Sequence, residues 1–399
     1  MISTLLVVML AQNFDQRGFI EERTVVYPES APGDSGHFVN TAAFRYEGSY
    51  TWTPWLKLSG SFDAQTDTHR QVARDPVLDV DDRSLARPAF SIRRLSATFH
   101  RGSWNVELGR QLIRWGRTDI LNPTDRFAPK DYLSSVVDSQ FLGVTAARVT
   151  YEKKSNTIDL IYQPWFTPSR TPLLNQRWTV LPPESASVAL SDQGSHYPGR
   201  GQYGVRWSRV AGGYEYSLSY FDGNNYLPQF AATFVPPKLG LVREYSRLRQ
   251  YGADFAAPLK WLTLKSEAAY YTSPGTNGDE YVLYVIQAER FVKEWVLVGG
   301  YAGEYVTRPS TNPLQFSPER GFAKSFVGHV GYTIDVNRSV SADAAVRAGG
   351  SFVRFEYSQA QGQHWRTTTG FAWLRGDPGD FLGQYHRNSY GYLGLRYSF

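Results

Sequence analysis

Apolar and polar residues alternate along most of the chain. From Leu56 to Ala64, Leu56, Leu58, Gly60, Phe62 and Ala64 fall on one parity, and Lys57, Ser59, Ser61 and Asp63 on the other. A period of two means a strand with one apolar and one polar face. The same pattern sets Tyr203, Val205 and Trp207 against Gln202, Gly204, Arg206 and Ser208. It sets Tyr214, Tyr216, Leu218 and Tyr220 against Glu215, Ser217 and Ser219, and it recurs at 262–270, 322–335 and 364–373. The pattern predicts about 18 strands (16–18), near 17–27, 37–50, 55–67, 89–101, 103–116, 142–153, 155–166, 200–211, 213–222, 246–257, 260–272, 281–293, 294–306, 322–335, 338–348, 351–360, 364–375 and 388–399. A further hairpin could lie in 228–243. The alternation fails at two places. Arg110 and Arg114 share the parity of Leu108 and Leu112, and Arg93-Arg94 interrupts the phase of its strand. Bulges, or strand ends outside the membrane, would explain both.

Connections alternate between short and long. Thr53-Pro54, Arg101-Gly102-Ser103, Lys154-Ser155-Asn156, Gly212-Gly213, Pro258-Leu259-Lys260 and Val336-Asn337 are short turns. Long segments lie at 68–88, 117–141, 167–199, 223–245 and 307–321. This order is the mark of an all-β, transmembrane, antiparallel up-and-down barrel with short periplasmic turns and long extracellular loops. An even strand number puts both ends of the barrel on the short-turn side. In lipid every backbone N–H and C=O must be paired, so a sheet there has to close on itself.

Composition fits that geometry. The chain has 26 Tyr, 23 Phe and 11 Trp among 399 residues, yet a mean hydropathy of −0.40. Tyr and Trp suit the two membrane interfaces. The low average reflects lipid-facing and water-facing side chains alternating on the same strands. The absence of Cys excludes a disulfide scaffold, a thiolate zinc site, an iron–sulfur cluster and a cysteine nucleophile. No apolar run approaches the roughly 18 residues of a spanning helix. Residues 1–11, with the apolar run Ile2 to Ala11, read as a signal-peptide remnant, against the plainer reading of a buried terminal segment. Residues 12–399 then form a single outer-membrane barrel domain.

A barrel this wide has an aqueous interior unless loops plug it. The polar parity supplies the lumen-lining candidates Lys57, Asp63, Glu107, Gln111, Arg206, Glu215, Lys265, Glu267, His329, Arg366 and Arg396. Their mixed signs argue against a strongly ion-selective tube. The net charge of +5 leans toward anionic or neutral polar solutes, or balances anionic lipopolysaccharide outside. A second dense group, Arg110, Arg114, Arg117, Asp119, Asp125, Arg126, Lys130 and Asp131, begins on a strand and enters a long loop. Folded inward, that loop would form a charged pore constriction. The plainer reading is a loop held by internal ion pairs and by Asp-capped turns around Pro123 and Pro129. Loop 167–199, rich in Pro and in apolar residues such as Leu173 and Trp178, is expected to pack into the barrel mouth as a lid or partial plug.

Two stretches carry a resemblance. In the final strand, Tyr392, Gly394, Tyr397 and Phe399 resemble the C-terminal signal by which outer-membrane barrels are recognised for assembly. The segment 109–132 contains Gly109-Arg110-Gln111, Trp115-Gly116 and Asn122-Pro123-Thr124-Asp125. It resembles a Gram-negative outer-membrane porin-like family, a domain of unknown function distantly similar to alginate-export barrels. That resemblance extends to Gly18-Phe19-Ile20-Glu21 and to the stretch 31–36. It implies an outer-membrane channel and supplies no settled substrate.

Enzyme signatures are missing from the sequence. The seven His show no metal-type spacing, and there is no G-x-S-x-G elbow, phosphate loop or dinucleotide fingerprint. The expectation is a non-enzymatic passive channel for small polar or anionic solutes, gated by inward-folded loops. It needs no cofactor or metal and binds no nucleic acid. Its partners would be outer-membrane lipid, lipopolysaccharide and the barrel-assembly machinery. The competing readings are a plugged, non-transport barrel with a surface or assembly role, and a barrel-embedded hydrolase. Substituting Phe399→Ala is expected to impair membrane assembly, measured as the folded fraction in isolated outer membranes. Normal insertion of the variant would remove the assembly-signal reading.

Overall fold

The computed structural model describes residues 13–119, 121–180, 189–235, 238–275, 278–312 and 314–399. The expected signal-peptide remnant, and Leu181, Pro182 and Pro183 of the mouth loop, lie outside these. Among the described residues the main sheet has nineteen strands, one of which is the two-residue pair Leu78–Asp79. The other eighteen form the wall. They are β1 (Phe14–Val26), β2 (Phe38–Thr53), β3 (Leu56–Asp67), β4 (Phe90–Arg101), β5 (Trp104–Gln111), β6 (Val144–Lys153), β7 (Asn156–Gln163), β8 (Gln202–Ala211) and β9 (Tyr214–Asn224). The second half comprises β10 (Arg247–Pro258), β11 (Thr263–Thr272), β12 (Glu280–Val292), β13 (Trp295–Arg308), β14 (Ser325–Asp335), β15 (Arg338–Arg347), β16 (Gly350–Gln361), β17 (Trp365–Gly376) and β18 (Tyr390–Ser398). Each expected strand has its counterpart. The segment 228–243 does hold a hairpin, Gln229–Val235 with Lys238–Glu244, but it pairs with Leu190–His196 in a separate three-stranded sheet. It adds nothing to the wall.

Every wall strand pairs antiparallel with its sequence neighbours, and β1 also pairs with β18. At that seam Gly18 N donates to the Phe399 carbonyl at 2.9 Å, and Phe399 N donates to the Gly18 carbonyl at 3.0 Å. The Phe399 ring lies where a Cβ on residue 18 would stand, 2.6 Å away, so the close approach requires glycine. Short turns close one end of the wall. At Gly212-Gly213 both residues have positive φ, +61° and +84°, the conformation of a two-residue hairpin turn. The long connections gather at the other end; residues 348–349 are a short exception there.

The alternation resolves into two surfaces. Leu58 is 39% exposed, while its neighbours Ser59 and Ser61 are 9% and 7%. Leu218 and Tyr251 face outward, while Ser217 and Gln250 are buried inside. Trp52, Trp55, Trp104, Trp261, Trp295 and Trp365 are exposed beside the short turns, and Tyr162, Tyr203, Tyr251, Tyr270 and Tyr305 toward the long loops. Between the two girdles lie Leu95, Leu160, Val205, Ile286 and Leu393, also exposed. Monomers in water rarely expose an apolar surface of this extent. As the lipid face of a membrane barrel it is stable.

Both breaks in the alternation have local causes. The pairing of β3 with β4 shifts between Ser61 and Phe62, leaving Arg93 as the extra residue of a bulge. Strand β5 ends at Gln111, short of the expected 116, so Arg114 lies past the wall in a loop. A closed barrel of this kind keeps its fold in cold detergent. Unboiled protein should therefore migrate differently from boiled protein on SDS gels, and identical mobility would contradict closure.

Candidate lumen constriction

The segment 112–143 leaves the wall after β5 and folds back inside the barrel. Buried carboxylates fasten it. Asp125 accepts the Trp115 and Gly116 N–H groups at 2.5 and 2.7 Å, which turns the chain inward. Asp159 on β7 accepts the Trp115 indole N–H at 2.9 Å. Glu267 on β11 is 1% exposed and serves as the central anchor. One of its oxygens accepts Arg117 N, Thr118 N and the Thr118 hydroxyl at 2.9, 3.2 and 3.0 Å. The other accepts Thr124 N and its hydroxyl at 2.6 and 2.8 Å. A carboxylate with several donors is well satisfied even when buried. Apolar contacts complete the docking. Trp115 and Phe127 meet edge-on at 5.4 Å, Phe127 meets Phe221 at 5.2 Å, and Leu121 packs with Tyr271 and Leu283.

The densely charged group of the sequence is spread along this loop and its fastenings. Arg110 pairs with Asp82, and Arg117 with Asp254 and Glu215. Asp119 pairs with Lys265, Asp125 with Arg114, Arg126 with Glu319, and Asp131 with Arg87 and Arg170. Lys130 lies over the Phe141 ring at 5.2 Å. Arg114, Asp119 and Lys130 line one lumen cavity and Asp131 another, while Arg110, Arg117, Asp125 and Arg126 line neither.

The residues of the polar parity all stand on inward-facing positions. Gln111 and Glu267 are covered by the loop. Arg206 and Glu215 join its anchoring through Asp254 and Arg117. Glu107 pairs with Arg94, Lys265 with Glu289, and His329 with Asp343 at 2.7 Å. Arg366 donates to the Ser358 hydroxyl, and Lys57 is exposed near the short-turn end. Asp63 and Arg396 face the open part of the lumen. In β18, Tyr392 points inward and donates to Glu356 at 2.7 Å, Gly394 follows on the same parity, and Tyr397 and Phe399 face outward.

With the loop fixed against β7–β12, space remains along the other half of the barrel. A cavity of about 490 Å³ lies against β1–β4, and one of about 260 Å³ against β14–β16. The larger is lined by a row of alternating charge. Arg396 pairs with Glu21, Arg45 pairs with Asp63 at 2.7 Å, and the Phe19 ring lies between the two guanidinium groups. Arg93, the bulge residue, completes the row and has no ion-pair partner among the described residues. Seven arginines and five carboxylates line this cavity. Asp138 borders both cavities and reaches the wall, 3.2 Å from Arg354 and 3.8 Å from Arg23. Asp138, Arg23, Arg45 and Arg354 were not marked by the sequence. The inward parity of β1, β2 and β16 carried the signal for the arginines. Nothing local distinguishes Asp138, which lies seven positions past the charge-dense stretch.

The mouth is narrowed from above. Arg170 pairs with Asp82 at 2.5 Å, Arg177 stacks over Tyr27 at 3.7 Å, and Trp178, 1% exposed, packs on Tyr385. Residues 167–180 thus pack into the barrel mouth, together with 377–389, whereas Leu190–His196 belong to the separate three-stranded sheet and are half-buried to exposed.

No protein-family model matches the chain, and no curated protein does. Solved structures do match over nearly its whole length. OccAB4 of Acinetobacter baumannii is 10% identical, covers 97% of this chain and 98% of its own, and has a TM-score of 0.55. A BenF-like porin from Pseudomonas fluorescens Pf-5 gives the same identity, coverage and TM-score. OccK3 of Pseudomonas aeruginosa is 10% identical over 99% of both chains, with a TM-score of 0.55. The fold is therefore that of outer-membrane porins. None of the three extends the resemblance of 109–132 to alginate-export barrels.

The anchoring is acid-sensitive in a defined window. Burial alone would raise the Asp131 carboxyl, but Arg87 and Arg170 more than offset it and hold it below the usual carboxylate range. Burial likewise opposes Arg126 at Glu319, and Arg126 prevails. Groups depressed in the folded state stabilise it above their unfolded pKa and lose that effect as pH falls through the folded value. Protection in hydrogen exchange over residues 126–133, the part of the loop that these two pairs hold, should stay constant from pH 7 to 5 and fall below about pH 4. Loss already between pH 7 and 5 would contradict this. Glu267→Ala leaves several buried donors unpaired, about 1–3 kcal/mol each. It should expose residues 115–125 to exchange at neutral pH.

Proposed function

We propose that this barrel stands in a bacterial outer membrane as a passive channel for small polar solutes, with a preference for anions. The observation that carries the reading is the charged row Arg396–Glu21–Arg45–Asp63–Arg93 facing Asp138 across the space left by the inner loop. A wetted path between low-dielectric walls focuses the field of such groups, so a small excess of arginine biases which ions enter. Arg93 contributes most to this bias, because it has no carboxylate of its own. Passage needs no bond-making, and the reading includes no enzymatic step. The porin-like family suggested by 109–132 is compatible with it. Asp138, held between Arg23 and Arg354, is the point where movement of the inner loop would widen the passage.

A plugged barrel is the second reading, and the burial of Trp178 and Leu382 in the mouth favours it. Conductance in planar bilayers separates the two. A channel should carry stable current and reverse toward chloride in a KCl gradient. Arg93→Gln should move the reversal potential toward potassium, and Asp138→Asn should move it further toward chloride. Absence of current in the intact protein would favour the plug. Current with unchanged reversal potentials in both variants would remove the charged row from selectivity.

A further inference from the structure

The lipid-facing wall carries one charged cluster that passage through the lumen does not use. Asp222 lies on the outward parity of β9, with its side chain 3% exposed. Three guanidinium groups close on it: Arg200 at 2.8 Å, Arg249 at 3.1 Å and Arg247 at 3.2 Å. Their side chains are 43%, 39% and 37% exposed. The one negative charge is therefore covered, and the three positive charges face outward. The Tyr203 and Tyr220 hydroxyls stand 3.5 and 3.4 Å from the same carboxylate.

Register fixes the height of the cluster. Tyr203, Asp222 and Arg249 form one cross-strand row. Two residues nearer the membrane centre, Val205, Tyr220, Tyr251 and Tyr270 form another. At about 3.3 Å per residue, the Asp222–Arg249 row, on which the three guanidinium groups converge, lies roughly 7 Å along the strands beyond that tyrosine row. Tyrosine girdles mark where hydrocarbon gives way to headgroups. The long-loop end of such a barrel faces outward, where the outer leaflet is a phosphorylated glycolipid. A guanidinium fork matches phosphate oxygens bidentately. Asp222 holds three such forks at fixed spacing and leaves the cluster with a net charge of about +2. Acyl chains below it would lie along Val205, Leu218 and Tyr251, all exposed.

We propose that Arg200, Arg247 and Arg249, organised by Asp222, bind a phosphate group of an outer-leaflet glycolipid of the lipopolysaccharide type. The site is on the outside of the wall, so solutes in the lumen do not reach it. It stands independently of whether the barrel conducts.

The test uses the full-length barrel in neutral detergent, with the bisphosphorylated glycolipid anchor as probe and native mass spectrometry as readout. Each arginine near an anionic surface contributes about fivefold in affinity. Arg200→Gln/Arg247→Gln/Arg249→Gln should weaken binding on the order of a hundredfold, with heat-modifiable migration unchanged. The dephosphorylated anchor should bind the native protein as weakly as the intact anchor binds the variant. Should the triple variant fail to assemble, Arg200→Gln leaves Asp222 two partners and should lose about fivefold. Equal binding by native protein and variant would overturn the proposal. So would equal binding of the dephosphorylated anchor, full displacement by millimolar inorganic phosphate, or an oligomer that disappears with the arginines.

Discussion

A polypeptide in lipid has no water to satisfy its amides, and this constraint dictates the rest of the molecule. Helices are not available to this sequence, so the wall must close edge to edge. The closing bonds run between β1 and β18, and the Gly18–Phe399 pair completes them. Closure then fixes which residues meet lipid and which meet water, because side chains alternate strictly along every strand. One parity becomes a belt of Leu, Val and Ile between tyrosine and tryptophan girdles. The other becomes a wide polar interior that the wall side chains cannot fill.

The inner loop answers that excess of width. A polar loop brought inside must exchange water for protein partners or leave buried donors unpaired. Glu267, Asp125 and Asp159 provide those partners, each accepting backbone or indole N–H groups. Because the two wall anchors, Asp159 on β7 and Glu267 on β11, draw the loop toward β7–β12, while Asp125 holds its turn from within, the free space falls on the opposite side, along β18 and β1–β4. The position of the passage is thus a consequence of where the buried carboxylates stand. Charge at the passage follows from register: Arg45 opposes Asp63 and Arg396 opposes Glu21 across neighbouring strands. The bulge that inserts Arg93 adds one cation without a counter-charge.

The wall was almost entirely legible in the sequence, because a period of two is a local property and most of the eighteen segments showed it. The interior was legible only in part. The parity of Asp63 or Arg396 says that they face water, but not whether a loop covers them. Gln111 and Glu267 carry the same parity and are buried under the loop. The charge-dense run from Arg110 to Asp131 looks like an eyelet in one dimension. In three dimensions Arg117, Asp125 and Arg126 fasten the loop, and Asp138 beyond that run reaches the wall. Contacts across a lumen join residues far apart in the chain, such as Asp138 and Arg354, and no local pattern encodes them. The outer arginine cluster was hidden for the same reason, since Arg200, Asp222 and Arg249 come from separate strands and a loop.

The central claim is that the inner loop occupies one half of the lumen and leaves water along the other. The chain has no Cys, so single engineered thiols report on this directly. Arg93→Cys lies in the open cavity, and Gln250→Cys lies under the loop, where the native side chain is 0% exposed. The measurement is bilayer current during addition of a small charged thiol reagent. Rapid modification at position 93 with a fall in current, and none at position 250, is the predicted result. Equal reactivity at both positions, or reaction at 250 first, would contradict it.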